Sequence, residues 1–210
     1  IYIITVPTPL NEDNSPDLSK IKLATEIVAQ NISQGNIVIY ESTVYPGVTE
    51  DFCVPTIEKI SKLNYNKDFY CGYSPERISP GDERFTLNKM IKITSGSIPS
   101  VADFIDDMYK KIIGAGTYKA SSIKVAEAAK VIENIQRDVN IALINELAII
   151  FDGMNLNTNE ILEAAKTKSN FIPFKPGLVG GHCISVDPYY LSYKSKKLGV
   201  NADIINVSRK

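Results

Sequence analysis

Apolar positions change their rhythm once along this chain, near Thr117. Before that point, short apolar runs alternate with amphipathic stretches. Residues 1–6 (IYIITV) make a run of the buried-strand type. From Leu18 to Ile32, apolar residues recur at helical spacing at Leu18, Ile21, Ala24, Ile27, Val28 and Ile32, and Gly35 is placed to end that helix as a C-cap. A second strand is expected over Ile37–Tyr40, then a helix over residues 48–63 in which Pro55 predicts a kink. Strands follow near 69–73 and 90–94, and a helix covering 103–113 begins soon after Pro99. Strand and helix in alternation imply right-handed crossovers and a parallel sheet covered on both faces.

After Thr117 the strand signals stop. From Ser121 or Ser122 to about Met154 there is no proline, and the only glycine is Gly153. Val125, Ala128, Ala129, Ile132, Ile135, Val139, Ala142 and Leu143 recur at helical spacing. A helix of that length is roughly 45 Å long at about 1.5 Å per residue, more than one neighbouring domain covers. It is expected to act as a spine between domains or subunits, and hence to support a homodimer. A short helix follows, capped by Thr158 or Asn157 with Glu160 in its first turn. A loop over Thr167–Gly181 then holds Pro173 and Pro176. The expected fold class is α/β: a parallel, doubly wound portion over residues 1–115, then a mostly α-helical domain over 117–210 led by one long helix. The abrupt start inside a strand and the abrupt end at NVSRK read as a fragment of a longer protein.

Composition narrows the function without choosing it. The chain has 210 residues, 44% of them hydrophobic and 22% charged, with a formal net charge of -1. That balance offers no basic field for nucleic acid. No apolar run is long enough to cross a membrane, and the start lacks the features of a signal peptide. Cys53, Cys71 and Cys183 are an odd, widely spaced set, and His182 is the only histidine. Neither a disulfide framework nor a metal site is expected, and a cytoplasmic location is.

Candidate chemistry is concentrated in GGHCISVDPYYL, Gly180–Leu191. Gly180 and Gly181 permit close approach of a ligand or backbone. Cys183 is then a candidate nucleophile, with Asp187 able to position a water. A plainer reading makes the glycines a turn and Cys183 a small buried hydrophobe. Lys130, Asn134 and Arg137 lie at i, i+4 and i+7 on one face of the long helix. That face is either a solvated stripe or a row of donors aimed at an oxyanion. A Cys–His hydrolase is disfavoured because adjacent residues of an extended segment point to opposite faces.

Taken together, VPTP (Val6–Pro9), ESTVYPG (Glu41–Gly47), SPERISPG (Ser74–Gly81), EAAKVIENIQRDVNIALINELA (Glu127–Ala148) and KPGLVGGHCISVDPYYL (Lys175–Leu191) resemble the nucleotide-sugar dehydrogenases. That family oxidises UDP-glucose, GDP-mannose and UDP-N-acetylhexosamines to uronic acids. Val186 and Pro80 make the chain look like the UDP-N-acetylhexosamine branch, whose glucosamine and galactosamine members serve bacterial capsule and O-antigen synthesis. The resemblance implies a Rossmann-like sheet, NAD as cofactor and a UDP-N-acetylhexosamine substrate in a bacterial or archaeal cytoplasm. It places Cys183 as the nucleophile that forms a thiohemiacetal and then a thioester with the oxidised sugar carbon. Lys130 falls at the family's oxyanion-stabilising lysine, Asn134 at the residue orienting the reacting oxygen, and Asp187 at the acidic partner of thiol and water. Glu76 falls at a general base, and Thr43 at a residue touching both nicotinamide and the hydrolytic water. Thr8, Pro9, Ser42 and Thr43 fall at cofactor-contacting positions. Arg77, Ile78, Arg137 and Gly180 join Lys130 and Asn134 at substrate-contacting ones. The family's glycine-rich phosphate turn does not occur in these residues, so NAD binding by them alone is expected to be poor. Another nucleotide-sugar substrate, UDP-ManNAc or UDP-glucose, is the alternative within the family, and a non-catalytic dimerisation scaffold the alternative outside it.

Overall fold

A computed structural model describes residues 1–78, 87–179 and 186–209. Contacts divide the chain into two compact units, Ile1–Val131 and Ile132–Lys210.

In the first unit, β1 (Tyr2–Ile4), β2 (Asn36–Tyr40) and β3 (Phe69–Tyr73) form a parallel sheet in that order. A second parallel pair joins β4 (Lys92–Thr94) to β5 (Thr117–Lys119). An antiparallel bridge at Gly72 and Gly96 stitches β3 to the residues after β4. Alternation along β2 sends its side chains to two covered faces. Ile39 packs with Val101, Ile105, Tyr109 and Ile113 of the α3 region, with Ile37 at the edge of that cluster. α3 spans Pro99–Lys110, and its apolar residues at four-residue spacing make one buried stripe. On the other face the Tyr40 hydroxyl lies 3.0 Å from Thr25 of α1 (Ser19–Asn31). Proline at the start of α3 costs no hydrogen bond, because a first-turn N–H has no partner inside the helix.

Three local expectations need correction. Gly35 does not cap α1: the helix stops at Asn31 and Ile32 is extended, while Gly35, at φ 84°, serves the turn into β2. The helix around Pro55 is continuous over residues 48–61 but not regularly α-helical. Thr49–Cys53 is a π-helical turn, with the Val54 N–H bonded to the Thr49 carbonyl, and α2 (Val54–Ser61) begins after it. The wider turn accommodates a ring that would crowd an α-helical carbonyl, and Pro55 stands in the first turn of α2. The strand signal also does not end at Thr117, since β5 occupies Thr117–Lys119.

Gly96 is needed for a close approach rather than for an unusual φ. A Cβ there would lie 2.4 Å from the Ala102 nitrogen and 2.8 Å from the Val101 carbonyl carbon, both backbone atoms of α3. Gly96→Ala is therefore expected to destabilise the chain by about 1–3 kcal/mol, the usual range for overpacking. Chemical denaturation checks this, and an unchanged midpoint would show that α3 moves without cost.

The long helix α4 runs over Ile123–Gly153. Its residues from Ile132 onward belong to the second unit, with α5 (Thr158–Ala165), α6 (Asp187–Lys197) and α7 (Asp203–Val207). Asn157 is the cap of α5: its side chain accepts from the Asn159 and Glu160 amides. The loop after α5 is tied down by Asn145, which donates to the Gly177 carbonyl at 3.0 Å and accepts from the Gly177 amide at 2.8 Å. Asp138 of α4 is 0% exposed and takes a 2.8 Å hydrogen bond from Arg209, which also lies over the Tyr189 ring. Asp138→Ala leaves that half-buried guanidinium without its carboxylate and is expected to cost about 1–3 kcal/mol. A thermal unfolding midpoint within a degree or so of wild type would show the pair to be dispensable. Among the described residues, no helix is long and apolar enough to cross a membrane.

Candidate functional site

The loops that leave β1 and β2 emerge at the carboxyl ends of adjacent parallel strands, where open α/β sheets take their ligands. They are laced together by side chains. The Thr8 hydroxyl donates to the Thr43 carbonyl at 2.6 Å, and the Ser42 hydroxyl donates to the Val6 carbonyl at 2.6 Å. Thr8 and Ser42 are buried, whereas Pro9 and Thr43 are half-buried at the rim. This pairing of VPTP with ESTV suits the nicotinamide end of a dinucleotide, which needs a rigid floor with polar groups at its edge.

The SPER segment follows β3 and lies beside ESTV. The Glu76 amide donates to the Glu41 carbonyl at 3.4 Å, and Glu76 and Ile78 are exposed. The Glu76 carboxylate accepts the Ile78 amide at 2.5 Å, and Arg77 donates to the Ile91 carbonyl at 2.7 Å. Beneath these two segments is a polar cluster that sequence reasoning missed. Lys92, only 5% exposed, stands 3.2 Å from Glu41 and 3.3 Å from the carbonyl of Pro75, the residue before Glu76. The Tyr109 hydroxyl donates to the other Glu41 oxygen. Burial, and then the Glu41 carboxylate, push the Tyr109 pKa upward, so the hydroxyl stays a donor. One carboxylate thus braces the roots of both segments. The signal in the sequence was a lysine inside the apolar run of β4.

On α4 the polar stripe is buried, not solvated. Glu127, Lys130, Asn134 and Asp138 are all buried, while Val125, Ile132 and Leu143 of the apolar repeat are exposed. Arg137 is exposed, and its neighbour Asp138 is buried. Glu127 accepts the Gly47 amide at 2.6 Å and the Thr49 amide at 3.0 Å. In the second unit, the Asn134 amide donates to Asp187 at 2.5 Å, and Asp187 at the start of α6 is 1% exposed. Asn134 is thereby oriented: with its nitrogen committed to the carboxylate, its carbonyl oxygen is left to face other groups. Cys183 and Gly180 lie outside the described residues.

The other two thiols are silent by environment. Burial pushes the Cys53 thiol up to about 12 and the Cys71 thiol well above its usual value. Among the described residues, no cluster of three or more His, Cys, Asp or Glu is placed to hold a metal ion.

Residues 1–113 match the NAD binding domain of the UDP-glucose/GDP-mannose dehydrogenase family, and residues 124–210 match its central domain. The chain is 58% identical over 210 residues to a UDP-N-acetyl-D-glucosamine 6-dehydrogenase of Pseudomonas aeruginosa, covering 100% of this chain and 50% of that protein. It is 56% identical over 208 residues to Protein CapL of Staphylococcus aureus, covering 99% and 49%. Among solved structures, a UDP-D-ManNAc dehydrogenase from Pyrococcus horikoshii superposes with a TM-score of 0.88 at 34% identity, over 99% of this chain and 48% of that one. The chain spans about half the length of the curated relatives it matches. The chain belongs to the UDP-glucose/GDP-mannose dehydrogenase family, and carries sequence of both its NAD binding domain and its central domain.

Proposed function

We propose that the full-length protein is a cytoplasmic enzyme that uses NAD to oxidise the primary alcohol of UDP-N-acetyl-D-glucosamine to the carboxylate, supplying a uronate for a surface polysaccharide. The observation that carries this reading is the 58% identity, over every residue of the chain, to a relative described as acting on that sugar. Relatives described as UDP-N-acetyl-D-mannosamine dehydrogenases stand at 32–36%.

The chain's own residues then take the following parts. Thr8, Pro9, Ser42 and Thr43 hold the nicotinamide end of NAD, which when bound supplies the hydride acceptor. Lys130 stabilises negative charge on the sugar oxygen. Asn134, held by Asp187, orients that oxygen. Cys183 adds as thiolate to the aldehyde carbon, the thiohemiacetal so formed gives its hydride to a second NAD to become a thioester, and water then displaces the thiol as the carboxylate forms. Glu76 takes the proton of that water, and Thr43 helps to place it. Arg77, Ile78, Arg137 and Gly180 contact the substrate.

Association as a homodimer through α4 belongs to the same proposal. Ile132, Leu143, Ile149, Ile150 and Met154 are all exposed along or just beyond this helix, and Ile149 is 75% exposed. An apolar row of that length is what a partner helix covers. Light scattering of the full-length protein is expected to give a dimer, and a monomer at high concentration would remove this part.

The substrate is tested by NADH production across UDP-GlcNAc, UDP-GalNAc, UDP-ManNAc and UDP-glucose. The expected result is the highest kcat/KM with UDP-GlcNAc and two NADH formed per sugar. A preference for UDP-ManNAc would move the protein to the neighbouring branch, and no NADH from any of the sugars would reject the assignment.

A further inference from the structure

Among the buried titratable groups that the roles above leave unused is a glutamate of α4. Glu127 is 0% exposed and lies three residues, about one helical turn, before Lys130 on α4. Its two carboxylate oxygens each meet a backbone amide: Gly47 N–H at 2.6 Å and Thr49 N–H at 3.0 Å. Those amides sit where the ESTVYPG segment turns into the π-helical start of the next helix, and N–H groups there have no helical partner. Gly47 has φ 102°, a conformation that a side chain strains, so the turn is built around this contact. Two donors facing two oxygens select an ionised carboxylate. An amide, or a protonated acid, puts a hydrogen of its own against one of them.

We propose that Glu127 is a positioning residue, whose ionised carboxylate fixes the ESTVYPG segment, and with it Thr43, to the helix that carries Lys130. Its catalytic consequence rests on the function proposed above; the clamp itself rests on the geometry alone.

The clamp is sensitive to pH. Burial pushes the Glu127 carboxyl up to about 7, against the opposing pull of the Gly47 and Thr49 amides, and the nearby Glu50 carboxylate adds to the rise. Lys124 on the same helix is engaged elsewhere, 3.0 Å from Asp51 and 4.0 Å from Glu50. Lys130 follows one turn later on the same helix, and the Cys53 thiol, which the Glu127 charge helps to raise, stays neutral throughout. The folded value lies above the ordinary 4.5. Between the two, the native chain binds a proton that the unfolded chain does not, so this group's contribution to stability rises as pH falls through that window. Positioning is lost over the same window. Stability and activity therefore move in opposite directions, which a purely structural carboxylate would not produce.

The test compares full-length wild type, Glu127→Gln and Glu127→Asp between about pH 5.5 and 8.5. It measures kcat and KM with UDP-GlcNAc, thermal midpoints, and amide hydrogen exchange of peptides covering residues 44–52. In wild type, kcat is expected to fall on the acid side with an inflection near 7, while the thermal midpoint gains relative to Glu127→Gln. Glu127→Gln is expected to lower kcat on the order of tenfold to a hundredfold with little change in KM, and to lose that inflection. Glu127→Asp, one methylene short, keeps the inflection at reduced kcat and remains informative if the glutamine variant fails to fold. Exchange of the 44–52 peptides, corrected for intrinsic rates, is expected to be fast in Glu127→Gln at every pH and in wild type only below the inflection. Wild-type kcat and an unchanged acid limb in Glu127→Gln would overturn the catalytic part. Exchange unaffected by the substitution would overturn the clamp. If wild type makes no NADH from any sugar, the dehydrogenase assignment fails, and the exchange arm still decides whether the clamp exists.

Discussion

Changing Cys183 to serine in the full-length protein is expected to leave a slow first oxidation and almost no uronate. A serine hydroxyl at ordinary pKa is a far weaker nucleophile than a thiolate, and its acyl product is an ester, which water cleaves less readily than a thioester. Steady-state turnover should fall roughly a thousandfold or more, the scale on which removal of a covalent nucleophile is felt. Product analysis should show aldehyde-level material accumulating ahead of acid. Thiol labelling gives an independent reading. Cys53 and Cys71 are both fully buried with their thiols held neutral, so among the three cysteines of this chain rapid labelling at neutral pH is expected of Cys183 alone, and that component should vanish in the serine variant. Unchanged turnover in Cys183→Ser would reject the covalent role outright.

Lys130→Ala is expected to slow both oxidations. Loss of one charged donor to a developing oxyanion costs on the order of 3 kcal/mol, or about a hundredfold in rate. The lysine is 5% exposed, so its charge acts in a setting where water screens it little. A thermal midpoint measured alongside kcat separates lost chemistry from lost structure. A variant that keeps its rate within about threefold of wild type would take Lys130 out of the site, since that corresponds to well under 1 kcal/mol.

What was legible in the sequence followed from period and from punctuation. Apolar runs at β2 and β3 and the unbroken helical stretch over α4 are backbone-level signals, and the elements lie where those signals put them. Other features depend on contacts that no period encodes. Gly35 sits where a C-cap would, but Asn31 ends the helix and the glycine serves the next turn. Three residues of β5 are too short a run to stand out, and they exist as a strand because β4 offers an edge. The apolar repeat on α4 marked helix correctly but its inward face only in part, because Glu127, Lys130, Asn134 and Asp138 are buried together with Ile135, while Val125 and Ile132 are exposed. Burying charge demands a partner, and those partners are distant: Gly47 and Thr49 for Glu127, Arg209 for Asp138. Glu41, Lys92 and Tyr109 were missed for the same reason, since they come from three elements and meet only in the folded chain.

The Asp138–Arg209 pair has a consequence for how this protein can change over time. The two residues are 71 positions apart, with Asp138 buried and Arg209 half-buried over it, so loss of Arg209 strands a buried carboxylate and loss of Asp138 leaves a guanidinium partly reached by water. Losing both together to apolar side chains of similar bulk is close to neutral, because the desolvation penalty disappears with the attraction. The two sites are therefore separated from any charge-free alternative by a single-step valley of about 1–3 kcal/mol along the route that loses Asp138 first. Descendants of this sequence should keep both residues or neither, and the rare lineages that lack one should show a compensating change beside Tyr189, whose ring is the other surface that Arg209 covers.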